Sequence, residues 1–491
     1  MEKRNSLKGK AVGGVFWSFV DKLANQGSQF LIQIILARLL LPEHFGLIGL
    51  ILVFNAISAA IVDSGFSNAL IREKQVTQKD YSTVFYFNLM ISIIIYALLY
   101  ASAPVLSNFF NEPDFVFLLR VLALGIVINS FGMVPRVMFA REINFKTMTK
   151  VNLTTSVISG ISAVLMALNG FGVWSLIARV LIMNVLQSVL SLWVTKWLPS
   201  ITFSLASFRR LFGFGWKLLV AELINAFYQN VYTLIIGKQF SADQLGFYTN
   251  AYRFSNMASQ TLTATIRRVA YPILSSIQEE EDRLKQAYRK IIKTTAFLIF
   301  PIMIGLAAVG EPLIEILLGN QWMPMLSYFQ LLCLAGMLFP IQAINLNVLQ
   351  VKGRSDLFLL LEIAKIVVAA FFIVLAIWLD TGIIGLVIVT VLMSYIALFI
   401  NTYFSGREIS YPVREQIKDL FPIYISSLVM GGVVLTVGEI VQSGNVIQLV
   451  SQSTAGVLFY IFICKCLKIN ELNDIYQLLI PIVRKIRFSK I

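Results

Sequence analysis

The sequence predicts an all-α polytopic membrane protein of about fourteen helices, built as two similar halves followed by an extra helix pair. Three observations predict it. Of 491 residues, 57% are hydrophobic and only 13% charged, against roughly 25% charged in soluble domains. Lys and Arg gather at every second connection between apolar stretches. The chain also repeats itself 200 residues further on, where Asn25 falls on Asn225, Gln29 on Gln229 and Gly46 on Gly246.

A helix crosses the hydrocarbon core with about 20 residues. Six candidate spans lie near 11–36, 45–70, 82–107, 115–139, 151–169 and 173–195. Six more lie near 211–237, 245–275, 292–318, 325–350, 357–379 and 382–404, and two near 417–440 and 447–468. The seventh and eighth are weak by hydropathy and rest largely on the repeat.

One set of connections holds 31 of the 40 Lys and Arg: the N-terminal tail, the loops around 72–79, 141–150, 196–210, 267–293, 352–354 and 407–418, and the C-terminal tail. The opposite set, including 108–114, 169–172, 319–324, 379–382 and 442–445, carries only Arg38 and Lys238. The positive-inside rule then puts both termini in the cytoplasm of a bacterial inner membrane. The net charge of +14 is accounted for by this topology and by attraction to anionic lipid, with no nucleic-acid partner. The start, MEKRNSLKGK, is expected to be a retained tail, because Asp21 and Lys22 interrupt the apolar run that a signal peptide needs. The stretch 276–293, acidic early and basic late, suits the helix dipole and is expected to be a solvated amphipathic connector. The C-terminal tail is expected to lie at the interface.

His44 is the single histidine, and Cys333, Cys464 and Cys466 lie in or beside apolar segments. No metal or disulfide framework is implied, no His-based triad, and no GK[ST] phosphate loop. The chain is therefore expected to need no cofactor or metal and not to be an enzyme. Energy for transport would come from a gradient, a partner, or downstream consumption of the product.

The first span carries Ser18, Asp21, Lys22, Asn25, Gln29 and Gln33 on one helical arc. Polar groups facing lipid unpartnered cost several kcal/mol, so the arc faces protein or a watery cavity. A buried packing seam is the plainer reading. Recurrence in the seventh span, with Lys217, Glu222, Asn225 and Gln229, favours the cavity. On the eighth span Thr249, Arg253, Asn256, Gln260, Thr263 and Arg267 share an arc. The repeat continues: 103–110 answers 311–319, and 169–172 answers 380–383. Each copy holds six spans, an even number, so the copies run parallel. Residues 1–200 form the first lobe, 201–406 the second, and 407–491 two further helices and a tail.

Intramembrane charges are suspects for function. The candidate cavity residues are Lys22, Asn25, Gln29, Lys217, Glu222, Asn225, Gln229, Arg253, Asn256, Gln260, Arg267 and Arg268. Arginine forks suit phosphate; amides and tyrosines such as Tyr228, Tyr232 and Tyr252 suit sugars. Arg253 has no acid at i±3 or i±4 on its own helix. Glu362 and Lys365, at i,i+3, are expected to neutralise each other. Arg136 and Arg179 lie toward helix ends, where they can snorkel. Asp21 and Lys22 with Glu222 are candidates for a coupling switch, since Lys22 and Glu222 occupy equivalent positions of the repeat.

FLIQIILARLLLPEHFGLIGL (30–50), VDSGFSNALIREK (62–74), VPRVMFAREINFK (134–146) and GFGVWSLIAR (170–179) resemble the polysaccharide exporters of the multidrug/oligosaccharidyl-lipid/polysaccharide transporter superfamily. The branch most resembled is that of the Wzx-type flippases for O-antigen, colanic-acid and teichuronic-acid units. The resemblance runs over essentially the whole chain. It implies two six-helix lobes around a V-shaped central cavity, alternating access, and a polyprenyl-diphosphate-linked oligosaccharide as substrate. Membrane lipids, a polysaccharide polymerase and glycosyltransferases are the other candidate partners. Two alternatives stand beside it: a cation-coupled drug exporter of the same superfamily, which cavity cations suit poorly, and a membrane polymerase or ligase, which the short external loops suit poorly.

Overall fold

The computed structural model describes residues 24–142, 144–441, 444–473 and 476–477. Among them there are helices and turns but no strand. Two compact units divide between Thr249 and Asn250, inside one helix. The sequence repeat places its boundary earlier, at residue 200; packing keeps the seventh span with the first unit.

The first unit begins with α1, helical over 24–39. It continues with α2 (Pro42–Asp63), α3 (Phe66–Arg72), α4 (Gln78–Phe110), α5 (Phe115–Arg141), α6 (Phe145–Leu168), α7 (Val173–Thr195), α8 (Leu205–Gln239) and the start of α9 (Ala242–Ser276). Pro42 opens α2 at its first turn, where the missing N–H costs nothing. The expected span 45–70 breaks at Ser64 and Gly65, both at positive φ. Gly65 is required there: a Cβ would stand 2.9 Å from the Gly215 Cα on α8. Thr77 and Asp80 close a capping box at the start of α4. Asp80 also takes a hydrogen bond from Arg210 Nη2 at 2.6 Å, tying α4 to α8. Nearby, Phe66, Leu70, Phe85, Trp197 and Leu211 form one buried apolar cluster. Trp197 Nε1 donates to Gln78 Oε1 at 2.8 Å.

The second unit holds the rest of α9, then α10 (Glu281–Ala308), α11 (Gly310–Leu317), a 3-10 turn (Asn320–Met325), α12 (Leu326–Gly336) and α13 (Phe339–Val351). It ends with α14 (Ser355–Trp378), α15 (Gly382–Glu408), α16 (Val413–Ile440) and α17 (Asn445–Cys466). The stretch 276–293 is not a solvated connector. From Glu281 it is the first half of α10, and Leu284, Tyr288 and Ile292 are fully buried. Charged residues on its other face hold α16: Lys285 reaches Glu415 at 3.4 Å, and Arg289 grips Asp419 through both Nε and Nη2. The described start of the C-terminal tail also departs from the interfacial expectation. Ile469 and Glu471 are buried, and Glu471 pairs with Lys293 at 2.7 Å; the remainder of the tail lies outside the described residues.

Among the described residues, twelve helical segments are long and apolar enough to cross a membrane. The partly described α1 and the polar α9 complete the expected fourteen. Both corresponding turns use positive φ, at Gly170 and Gly172 and at Asp380 and Gly382, though one residue out of the register in which 169–172 matches 380–383. Each unit collects basic connections at one end. Arg141 donates to the carbonyls of Leu70 and Glu73, and Lys352 to that of Gln278.

Candidate functional site

The polar stripe of α8 is accessible. Lys217, Glu222, Asn225 and Gln229 are all exposed, and so are their neighbours Trp216, Val220, Ile224 and Phe227. The helix is held at its ends instead. Phe208 and Phe212 stack on each other and pack on Phe66 at one end. Ile236 is fully buried at the other, and Lys238 Nζ donates to the Phe109 carbonyl and sits 4.6 Å from that ring. A segment with both ends anchored can present charge from its middle without losing register. On α1, Gln29 is exposed and donates to Asn25 Oδ1 at 3.2 Å, one turn back, while Gln33 is buried. Asp21 and Lys22 lie outside the described residues.

On α9, Arg253 and Gln260 are exposed and Asn256 is half-buried, its Oδ1 without a hydrogen-bond partner. Thr263, expected on the same arc, is buried and donates to the Ser259 carbonyl at 2.8 Å. The arc is accessible at Arg253 and turns inward by Thr263. The side chains of Arg267 and Arg268 are outside the described residues. The stripes of α8 and of α9 beyond Thr249 belong to different units, each described by itself.

The repeat also makes a contact that its sequence signature did not announce. The start of α2 meets the start of α9 backbone to backbone. A Cβ on Gly46 would stand 2.8 Å from the Ala242 carbonyl carbon and 3.0 Å from the Gly246 nitrogen. A Cβ on Gly246 would stand 2.6 Å from the Pro42 carbonyl carbon and 3.3 Å from the Gly46 nitrogen. Each contact is the image of the other at an offset of 200. One turn on, a Cβ on Gly49 would lie 3.7 Å from the Thr249 Cβ. The signal was present in the matched glycines, but a glycine pair marks shared ancestry and close approach alike.

Several other charges are accounted for structurally. Lys365 pairs with Glu362 at 2.6 Å, as expected. Arg120 donates to the Tyr100 carbonyl at 3.2 Å and lies over that ring. Arg136 does not snorkel. It turns back along α5 to Asn129 Oδ1 at 2.7 Å, into space left by Gly132, where a Cβ would stand 2.6 Å from its Nη1. That Nη1 is buried without a partner. Asp63 accepts from the Ser67 hydroxyl and backbone N–H and so caps α3. The motif residues Asp63, Gly65, Arg136 and Arg141 are thus explained by packing.

Comparison with known proteins decides the family. A family model described as "Polysaccharide biosynthesis protein" matches residues 35–327, more than half of the chain. The chain belongs to this family. It is 29% identical over 303 residues to the teichuronic acid biosynthesis protein TuaB of Bacillus subtilis (strain 168), covering 60% of this chain and 62% of that protein. It is 24% identical over 358 residues to the lipopolysaccharide biosynthesis protein WzxC of Escherichia coli (strain K12), covering 72% of each. In three dimensions it resembles a lipid II flippase, MurJ, in an inward closed conformation. The TM-score is 0.70 at 16% identity, over 93% of this chain and 98% of that one. The fold is shared with that flippase, and the family expected from motifs is the family found.

Proposed function

We propose that this chain is a flippase that moves a polyprenyl-diphosphate-linked oligosaccharide from the cytoplasmic to the outer leaflet by alternating access, for cell-surface polysaccharide synthesis. The observation that carries this reading is the accessible ionic and amide stripe in the middle of α8, between anchored ends. Membrane-depth polar groups are tolerated where they line water or bind cargo. The family and the fold shared with a lipid II flippase support the same reading.

In this mechanism Arg253 and Lys217 contribute charge for the diphosphate, Asn225, Gln229 and Asn256 hydrogen-bond the sugars, and the lipid tail stays in the bilayer. Arg267 and Arg268, toward the basic end, capture the diphosphate first. The lobes are residues 1–200 and 201–406, and both termini are cytoplasmic in a bacterial inner membrane. The Pro42–Gly49 and Ala242–Thr249 contact is the gate in this reading, and it parts when cargo leaves. The rival of a drug exporter fits an accessible guanidinium less well, because a drug cation is repelled by it.

Proteoliposomes loaded with a defined polyprenyl-diphosphate saccharide test this. Wild-type protein should bring the saccharide to the opposite leaflet within minutes, and a saccharide-free cationic dye should not move. Arg253→Ala should lose most of the flipping, while Arg253→Lys keeps a larger share, because charge matters first and the planar fork second. Dye export without saccharide flipping would overturn the proposal. Normal flipping by Arg253→Ala would remove this arginine from the site.

A further inference from the structure

In the second unit, a cavity of about 240 Å3 lies between the α13–α14 turn and the end of α15, lined by Arg354, Leu357, Phe404, Arg407 and Glu408. It belongs to the basic end of the unit, far along α15 from the turn at Gly382. Arg354 is committed: its Nη1 donates to Glu408 Oε1 at 2.7 Å, and its Nε and Nη2 grip Asp356 at 3.2 and 3.1 Å. Those pairs hold the walls open and leave Glu408 with a second carboxylate oxygen. Arg407 is different. It is exposed, pairs with no acid among the described residues, and lies 6.0 Å from the Tyr403 ring. The wall between the charges is apolar. Immediately beyond the cavity on both helices the surface turns apolar and exposed, with Leu359 and Leu360 on α14 and Phe399 and Tyr403 on α15. A pocket with one free cation, one half-used carboxylate and a greasy edge, placed where a membrane helix meets water, matches a particular ligand chemistry.

We propose that this cavity binds the headgroup of a zwitterionic phosphoethanolamine lipid in the cytoplasmic leaflet. The phosphate takes charge-assisted hydrogen bonds from Arg407 and from the remaining N–H groups of Arg354. The primary ammonium donates to the free oxygen of Glu408. Acyl chains run along the exposed faces of α14 and α15. A purely anionic headgroup leaves Glu408 facing its negative charge, and a choline headgroup has no N–H to give it. The site is remote from the α8 stripe in sequence and uses none of its residues, so it stands whether or not that stripe carries the cargo.

The purified full-length protein, in detergent micelles, is titrated with phosphatidylethanolamine, phosphatidylcholine, phosphatidylglycerol or inorganic phosphate, and lipid binding is read by native mass spectrometry. Phosphatidylethanolamine should bind about tenfold more tightly than the other two lipids, the scale of one charge-assisted hydrogen bond. Arg407→Ala, a surface change, should weaken binding of all three lipids about tenfold, because each presents a phosphate, while Arg414→Ala, exposed and outside the cavity, leaves binding intact. Glu408→Gln should abolish the preference over phosphatidylglycerol. Equal binding of the three lipids, or unchanged lipid binding in Arg407→Ala, overturns the proposal. So does displacement of the lipid by millimolar inorganic phosphate, which would make the cavity a free-anion site. If Glu408→Gln fails to fold, the wild-type preference among the three lipids together with the loss of binding in Arg407→Ala decides.

Discussion

The seam between α2 and α9 can be locked. With cysteines at Gly49 and Thr249, the two Cβ atoms would stand 3.7 Å apart, inside the roughly 3.5–4.5 Å range of disulfides. The background needs Cys466→Ser, because Cys466 is exposed whereas Cys333 and Cys464 are buried. Mild oxidation should then cross-link nearly all of the protein, seen as lost maleimide labelling after denaturation. Flipping should fall at least tenfold and return on reduction. Gly46→Ala probes the same closure from the other direction. Its Cβ would run into the Ala242 carbonyl oxygen and stand 2.8 Å from the carbonyl carbon, against about 3.5–4.0 Å for comfortable contact. The helices must separate by about 1 Å or accept a strain of about 1–3 kcal/mol. That is roughly a 5- to 150-fold loss of the closed population, and the cross-linking rate in the Gly46→Ala background should drop in proportion. Full flipping by cross-linked protein would refute the idea that this seam opens. An unchanged cross-linking rate would refute the steric argument.

Two further outcomes follow. A cysteine at Asn111 or Gln321 should be labelled by an impermeant thiol reagent from outside the cell, and one at Ser276 only from inside; labelling of all three from one side would overturn the topology. Lys22→Glu and Glu222→Lys should each reduce flipping and partly rescue each other if the two charges meet during the cycle, whereas effects that simply add in the double-mutant cycle would sink the switch.

What the sequence made legible was depth and period. Hydropathy placed most spans because membrane-crossing segments must be long and apolar, and charge placed the connections because Lys and Arg collect at one end. The polar α9 was found through the repeat, where hydropathy alone fails. What stayed hidden depends on partners distant in the chain. Gly65 is needed because α8 passes over it at Gly215, about 150 residues away. Arg136 looked free to snorkel because nothing local showed that Gly132 leaves room beside it. The charged run 281–293 looked solvated because its acids and bases dominate the text, while the residues that bury its face, Leu284, Tyr288 and Ile292, recur at the ordinary helical interval. Of the candidate site, residue type and helix were readable, but accessibility was not: Gln33 and Thr263 share their arcs with exposed neighbours and are themselves buried.

The seam also explains which positions of the repeat still match. Under a two-fold relation, a residue on the axis meets the equivalent region of the other copy. A contact from Pro42 to Gly246 then requires one from Ala242 to Gly46, and both are present. A side chain at either glycine would press on the backbone of the other copy's helix, so the constraint falls on both copies at once. Residues away from the axis meet different neighbours in each copy and are free to diverge. Identity at 46 and 246 follows from that reciprocity: each glycine lies against the backbone of the other copy's helix, so neither can gain a side chain alone.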